Sequence, residues 1–412
     1  MIGQSDLVAT VAWRNLWRRP RRTVLSLLSI ALVVAILVFM LSFQLSIYAS
    51  MKQNTLRILD GYAEIQPKGY SADPTLDRAI AAPGKLASEA LGIAGVTAAA
   101  PRLDAFAILA NGARSYGGAV IGVDPGSEPK VSSIAAMIRS GRYLKPADNA
   151  DAVLGDMLAR NLALSPGHTV TLLGQARDGS VAADVLRVVG VFHSGIPELD
   201  RSILEMPLSR AQDTFAMAGH ANIIALSGPT LADVNDALPA LRTLAGRRGA
   251  VVLGWRALEP AMRDAIALDM SIGALLYATL VAVVAFIILD TLLMSVLERT
   301  REFGTLMAVG MRPRLIGRMV WIELLSLAFL GCLAGLALGC AVTLKLHQVG
   351  IVFPGVSELF ARFGLPPRLY PALTPASALI GPAAILTAIA LGGIVPYLRV
   401  ARLTAALAMR AA

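Results

Sequence analysis

Histidine is the side chain whose charge changes nearest neutral pH and the commonest nitrogen ligand for metals. This chain has four histidines, His168, His193, His220 and His347, and they are scattered. Without a His-Glu-x-x-His helix pair or a cysteine/histidine cluster, the spacing predicts no metal site. A serine hydrolase is not indicated either, because no Gly-x-Ser-x-Gly elbow is present. His193-Ser194 lies beside Glu198 and Asp200 and could suggest a nucleophile with its base, but neighbours in one loop read as polar surface. The Gly-Lys pair Gly84-Lys85 is followed by Leu86 and lacks the Gly-x-x-x-x-Gly-Lys-Ser/Thr frame that cradles nucleotide phosphates. Cys332 and Cys340 share one apolar run, and residues 52–264 contain no cysteine, so there is no disulfide framework to read. A non-catalytic chain without a cofactor or metal of its own is the expectation.

The remaining candidates are charged and small residues placed against long apolar runs. Glu298, Arg299, Arg301 and Glu302 cluster at a helix end, followed by apolar Phe303, Leu306, Met307 and Val309 at near-helical spacing and then Gly310, which suits a helix stop. Such a short amphipathic element can dock into a partner's groove. It can also lie on lipid headgroups, with its arginines binding anionic membrane lipids. Gly331, Gly335 and Gly339 form a Gly-xxx-Gly-xxx-Gly ridge, where absent side chains let helices approach closely, whether another span or a second subunit. Asp290 and Glu323 are the acids set well within apolar runs, and each reads either as a transmitter of motion or as a group paired with Arg299 or Arg318.

Four apolar runs position these residues. Thr23–Met51 carries no charge and, at 1.5 Å per residue, makes roughly 43 Å of helix, more than a hydrocarbon core of roughly 30 Å. Its length argues for a retained anchor rather than a cleaved signal. Met270–Val296 and Met319–Leu344 each carry one acid, while Leu369–Leu398 is uncharged, with Pro375 suited to a helix's first turn and Pro382 placed to kink it. Residues 52–264 hold 21 basic and 21 acidic side chains, so the net charge of +9 belongs to the rest of the chain. Arg14, Arg18, Arg19, Arg21 and Arg22 precede the first run, Arg299, Arg301, Arg312, Arg314 and Arg318 lie between the second and third, and Arg399, Arg402 and Arg410 follow the fourth. The positive-inside rule therefore predicts both termini cytoplasmic. Basicity here is a topology signal, not a nucleic-acid footprint.

The expected organisation is a cytoplasmic basic N-terminus (1–22), a transmembrane helix continuing into a stalk (23–51), an inserted outward-facing domain (52–264), a second span (265–297), a cytoplasmic loop (298–318), a third span (319–345), an outward loop (346–374), a fourth span (375–398) and a cytoplasmic tail (399–412). Within the inserted domain, Ala119–Val123, Leu186–Phe192 and Asn222–Leu226 read as strands, and Ala147–Leu164 and Leu231–Ala245 as helices, punctuated by turns such as Asn111-Gly112. That makes a mixed α/β domain of one core or two small lobes. Ser50–Leu59 and Ala257–Asp269 read as helical stalks, the first stopping at Asp60-Gly61.

Trp13-Arg14-Asn15-Leu16 with the arginine run to Arg22, one long span, a large outward domain and three clustered spans resemble a permease of the MacB and FtsX-like superfamily. The segment Leu297–Met311 is similar to that superfamily's coupling segment, which contacts an ATPase. Gly61–Gln66 with Gly69-Tyr70, Ile121–Pro125 and Gly141–Leu144 resemble the lipoprotein-releasing LolC/LolE-like branch. Two departures stand out: MacB carries an ATPase domain in the same chain and this sequence has no P-loop, and the tail Arg402–Arg410 lacks the family's proline before an Ala-Leu-Arg ending. The resemblance implies a permease of the bacterial inner membrane that works with an ABC ATPase subunit, which binds ATP and Mg²⁺, and with a second permease copy or a paralogue. It further implies mechanotransmission, in which ATPase closure moves the outward domain to release lipoproteins or other lipidic cargo, with a periplasmic carrier or lipoprotein as partner. An FtsX-like regulator of a periplasmic hydrolase and a MacB-like export component are the alternatives.

Overall fold

The computed structural model describes residues 10, 12–15, 17–18, 20–355, 360 and 365–402, so Leu16, Arg19 and the tail Leu403–Arg410 lie outside the described residues. In chain order the first elements are α1 (Pro20–Ile58), β1 (Ala63–Pro67), β2 (Ile80–Ala81), α2 (Pro83–Leu91), β3 (Ala98–Asn111) and β4 (Arg114–Val123). They are followed by β5 (Ile138–Gly141), β6 (Asp151–Gly155), α3 (Asp156–Asn161), β7 (Thr169–Gln175), β8 (Val181–Phe192), α4 (Pro197–Ser202), β9 (Ile203–Pro207) and α5 (Leu208–Thr214). Next come β10 (His220–Ala221), β11 (Ile223–Ser227), α6 (Leu231–Gly246), β12 (Ala250–Gly254), α7 (Trp255–Leu258) and α8 (Pro260–Glu298). The chain continues with α9 (Thr300–Ala308), α10 (Pro313–Val349), β13 (Ile351–Val352), β14 (Arg368–Leu369), α11 (Pro375–Gly392) and α12 (Ile394–Ala401). These form two compact units. One holds the described residues up to Tyr48, Ala265–Val352 and those from Arg368; the other holds Ala49–Asp264 and Phe353–Pro367.

In the first unit, α1, α8, α10 and the stretch Pro375–Ala401 are each long and apolar enough to cross a membrane. They pack through Ile30, Val34 and Val38 of α1, Val284 and Ile288 of α8, Leu324 and Ala328 of α10, and Ile385 and Ile389 of α11. Elsewhere these helices expose leucine, isoleucine and phenylalanine, as helices solvated by lipid should. Thr374 caps α11 through a capping box with Ser377, and Pro375 occupies its first turn. The helix runs on through Pro382 and is interrupted instead at Gly393, where α12 begins.

The second unit is a mixed α/β domain. A ten-stranded sheet runs in the order β12-β1-β11-β3-β4-β9-β6-β8-β5. Because β7 pairs with both β3 and β8, strands β3, β4, β9, β6, β8 and β7 close into a ring. Its interior is filled by Leu103, Leu109, Val120, Leu172, Leu186 and Phe215. The 14 residues of β3 make this possible: Ala98–Arg102 pairs with β11, while Ala107–Ala110 pairs with β7. The β3–β4 hairpin turns at Asn111-Gly112, with Gly112 in the left-handed region at φ +57°. Beside the ring, α2 packs on β3 and α6 on β11 and β12, burying Leu86, Ala90, Val234 and Leu241.

One helix expected from alanine content is a strand. Asp151–Gly155 is β6, and helix is confined to Asp156–Asn161. Val153 and Leu154 lie between β8 and β9 with both faces covered, and a fully buried strand has no alternation to reveal it.

Candidate coupling site and membrane groove

The segment after α8 folds as α9, a helix of nine residues that begins at Thr300 and ends before Gly310, whose φ of +102° suits the chain reversal there. Its inward face is Phe303 and Gly304. Phe303 is 1% exposed and packs among Ala12, Val296, Ile316, Met319 and Val320. Leu306 and Met307 border the same cluster, half-buried. Arg301, Glu302, Thr305, Ala308 and Val309 are exposed, Val309 by 85%. The apolar residues that sequence spacing groups on one face are therefore divided: Phe303 is used within the chain's own bundle, while Val309 is free to meet a partner.

Arg299 ties this helix to a span. Its Nη1 donates to Glu323 Oε2 at 3.2 Å and Oε1 at 3.4 Å, its Nε donates to Glu302 at 3.3 Å, and its guanidinium lies 5.4 Å from the Phe303 ring centre. Arg18 reaches Glu302 at 4.0 Å and Arg22 reaches Glu298 at 3.8 Å, so basic residues before the first span and acids after the second meet. Asp290 is exposed and makes no ion pair among the described residues.

The glycine ridge packs on α1. A Cβ at Gly331 would stand 2.7 Å from Ile30, one at Gly335 2.5 Å from the Ala31 carbonyl oxygen, and one at Gly339 2.9 Å from Val38. No real Cβ sits that close, so these three positions let α10 and α1 touch along their backbones.

Sequence spacing missed a polar constellation in the same unit. Gln44 Nε2 donates to Tyr48 Oη at 2.7 Å and to Asp269 Oδ2 at 3.2 Å, Tyr277 Oη donates to Gln44 Oε1 at 2.9 Å, and Tyr48 Oη donates to Asp269. Of these, Gln44, Tyr48 and Tyr277 line a groove of about 530 Å³ between α1, α8 and α11 that is otherwise lined by residues such as Leu41, Ala274, Val281 and Ile380. The only sequence signal was Gln44 and Tyr48 one helical turn apart in an apolar run.

The inserted domain carries buried charge. Arg102, fully enclosed, forms two bonds to Glu128 at 2.6 and 3.0 Å. Burial and the neighbouring Asp60 charge push Glu64 up to about 8. Burial and Glu128 push Glu205, which accepts from Tyr143 Oη at 2.8 Å, up to about 8 as well, and burial raises Asp104 to about 6 against the pull of Arg102.

Two family profiles match the chain: FtsX-like permease C-terminal over residues 274–405 and MacB-like periplasmic core domain over residues 23–243, the second covering more than half of it. The chain belongs to the FtsX-like permeases with a MacB-like core domain. The permease is 26% identical over 269 residues to the lipoprotein-releasing system transmembrane protein LolC of Neisseria meningitidis serogroup B, covering 63% of this chain and 64% of that one. It is 25% identical over 263 residues to LolC of Xylella fastidiosa, covering 62% of each. The match thus spans less than two thirds of the length of these relatives. A shorter stretch of 78 residues is 42% identical to the pyoverdine export ATP-binding/permease protein PvdT of Pseudomonas savastanoi pv. phaseolicola, covering 18% of this chain and 12% of that one. Among solved structures, the permease is similar to the periplasmic region of MacB from Actinobacillus actinomycetemcomitans, with 16% identity over 49% of this chain and 92% of that chain and a TM-score of 0.36. It is also similar to the extracellular domain of the transporter YknZ from Gram-positive bacteria, with 15% identity over 46% of this chain and 98% of that chain and a TM-score of 0.34.

Proposed function

We propose that this permease is the transmembrane subunit of a bacterial inner-membrane ABC transporter that releases lipoproteins or other lipidic cargo by mechanotransmission. One observation carries the reading: α9 is joined by Arg299 to Glu323 on α10, α10 is keyed by its glycines into α1, and α1 is a single helix from Pro20 to Ile58. A push on α9 therefore has a continuous packed route into α1, a helix of 39 residues. In this reading the exposed face Arg301, Glu302, Thr305 and Val309 meets the ATPase subunit, while Arg299, Phe303, Gly304, Leu306 and Gly310 hold that face in place. ATP and Mg²⁺ are assigned to the ATPase subunit, because this chain has no P-loop to hold nucleotide.

The arginine distribution supports cytoplasmic termini and a cytoplasmic α9, with the core domain on the outer side. The LolC relatives support the cargo class. The groove between α1, α8 and α11, apolar apart from Gln44, Tyr48 and Tyr277, suits acyl chains with a polar headgroup at one end. A second permease, identical or paralogous, completes the membrane part.

Gentle purification from the native membrane followed by mass spectrometry tests this. An ATPase together with a lipoprotein or periplasmic carrier is the expected outcome, and the presence or absence of a second permease chain reports pairing. Recovery with a cell-wall hydrolase would favour a regulator, recovery with an export adaptor a MacB-like exporter, and recovery without any ATPase would overturn the assignment.

A further inference from the structure

Asp156 meets His193 and Asp200, which are seven residues apart in the chain, in the core domain. His193 Nδ1 lies 3.2 Å from Asp156 Oδ2 and 2.9 Å from Asp200 Oδ2, and the three ligand atoms all lie within 4.8 Å of one another. The fold builds this convergence: Asp156 opens α3 directly after β6, His193 follows the last residue of β8, and Asp200 is on α4. Gly155 allows the approach, since a Cβ there would stand 2.3 Å from the Asp200 carbonyl oxygen.

We infer that these three residues form a binding site for a divalent transition-metal ion, with Zn²⁺ the best match. Ligands roughly 2.0 Å from a tetrahedral Zn²⁺ stand about 3.3 Å apart, close to the spacing of His193 Nδ1 from each carboxylate oxygen. The carboxylates are preorganised. Asp200 is held by the Ser194 backbone N–H and hydroxyl, each at 2.7 Å from its Oδ1, which leaves Oδ2 facing the imidazole. Asp156 accepts from Arg160 at 3.1 Å and has Arg139 at 3.6 Å, both through Oδ2. Its other oxygen, Oδ1, is shielded from solvent and has no hydrogen-bond partner among the described residues. An orphan lone pair on a carboxylate that is nine-tenths buried is costly unless something electropositive meets it. A cation held at the Asp156 and Asp200 carboxylates would bring positive charge to the carboxylate that carries that oxygen, and the partly exposed His193 leaves a side from which ion and water reach the site. One imidazole and two carboxylates suit Zn²⁺ or its neighbours better than Ca²⁺, which takes oxygen ligands. The ion would clip the ends of β6 and β8 to α4, a structural role independent of cargo and of the ATPase.

The test uses the full-length permease, purified in detergent through a tag without histidine, stripped with chelator and titrated with Zn²⁺ in equilibrium dialysis. Expected are one saturable equivalent per chain and a raised Tm. Loss of a second-sphere partner costs a metal site about tenfold or more, so removing a ligand in His193→Ala should weaken binding at least that far. His168→Ala and His220→Ala should leave it unchanged. His193 is partly exposed, so H193A should keep the zinc-free unfolding transition of the parent, and that transition is the control for folding. Co²⁺ supplies a second readout, a visible absorption band present in the parent and absent in H193A. Unsaturable binding, or equal affinity in the parent and H193A, would overturn the site and leave His193 as an imidazole hydrogen-bonded between two aspartates.

Discussion

Arg299 and Glu323 stand 24 residues apart in the chain and 3.2 Å apart in space, with side chains only 13% and 14% exposed. A near-buried pair of this kind contributes little over an apolar pair, but removing Arg299 takes from Glu323 its hydrogen-bond partner, whereas removing Glu323 leaves Arg299 its bond to Glu302. Arg299→Ala should therefore destabilise the membrane unit by on the order of 3 kcal/mol and Glu323→Ala by less, while the double variant Arg299→Met, Glu323→Leu lies nearer the parent. Thermal unfolding in detergent checks this through the coupling between the two substitutions. Equal losses in the single and double variants would show that the pair does not hold α9 to α10.

The outward and inward faces of α9 should respond differently. Glu302→Lys or Val309→Asp changes an exposed side chain and leaves Phe303 packed, although Glu302→Lys gives up the contacts to Arg299 and Arg18, and each is expected to abolish the coupling proposed between this helix and an ATPase. Phe303→Ala empties a packed site and should cost about 3–5 kcal/mol. Stability and ATP hydrolysis measured on the same reconstituted preparations separate the two effects. Full coupling in E302K would remove that residue from the contact face.

Backbone contact between α10 and α1 has a direct steric test. Gly335→Leu must displace the Ala31 carbonyl or Val34, so destabilisation of about 1–3 kcal/mol or more is expected. Gly84→Ala is the control. It lies on α2 with nothing within 4 Å of its Cβ position, and should be neutral or stabilising by up to about 1 kcal/mol. A melting temperature for G335L equal to that of the parent would mean that the two helices do not pack through the ridge.

Glu64 and Glu205 titrate near 4.5 when unfolded and are raised to about 8 in the folded domain, while Asp104 moves from 3.8 to about 6. The folded chain thus holds protons that the unfolded chain has released, so the contribution of these groups is fully present below about pH 4 and is lost as pH rises toward 8. Melting of the core domain within the full-length protein, followed from pH 5 to pH 8, should fall with pH, and Glu205→Gln should flatten that slope. A stability that climbs across this window in the parent and in E205Q alike would mean that these carboxyls are not held protonated.

The sequence by itself determined the membrane part and the presence of an inserted α/β domain. A bilayer selects on composition over some twenty neighbouring residues, and charge sorting acts on short loops, so apolar runs and arginine placement are legible without a fold. The strands at Ala119–Val123 and Asn222–Leu226 and the turn at Asn111-Gly112 were legible for the same local reason. Tertiary structure alone decided what the ridge of Gly331, Gly335 and Gly339 packs on, that Phe303 turns inward while Val309 stays exposed, that Asp151–Gly155 is a strand, and that Asp156, His193 and Asp200 meet. Each of these depends on partners far away in the chain, and no local pattern encodes such a partner. Packing chooses it, by burying apolar surface and satisfying buried polar atoms together.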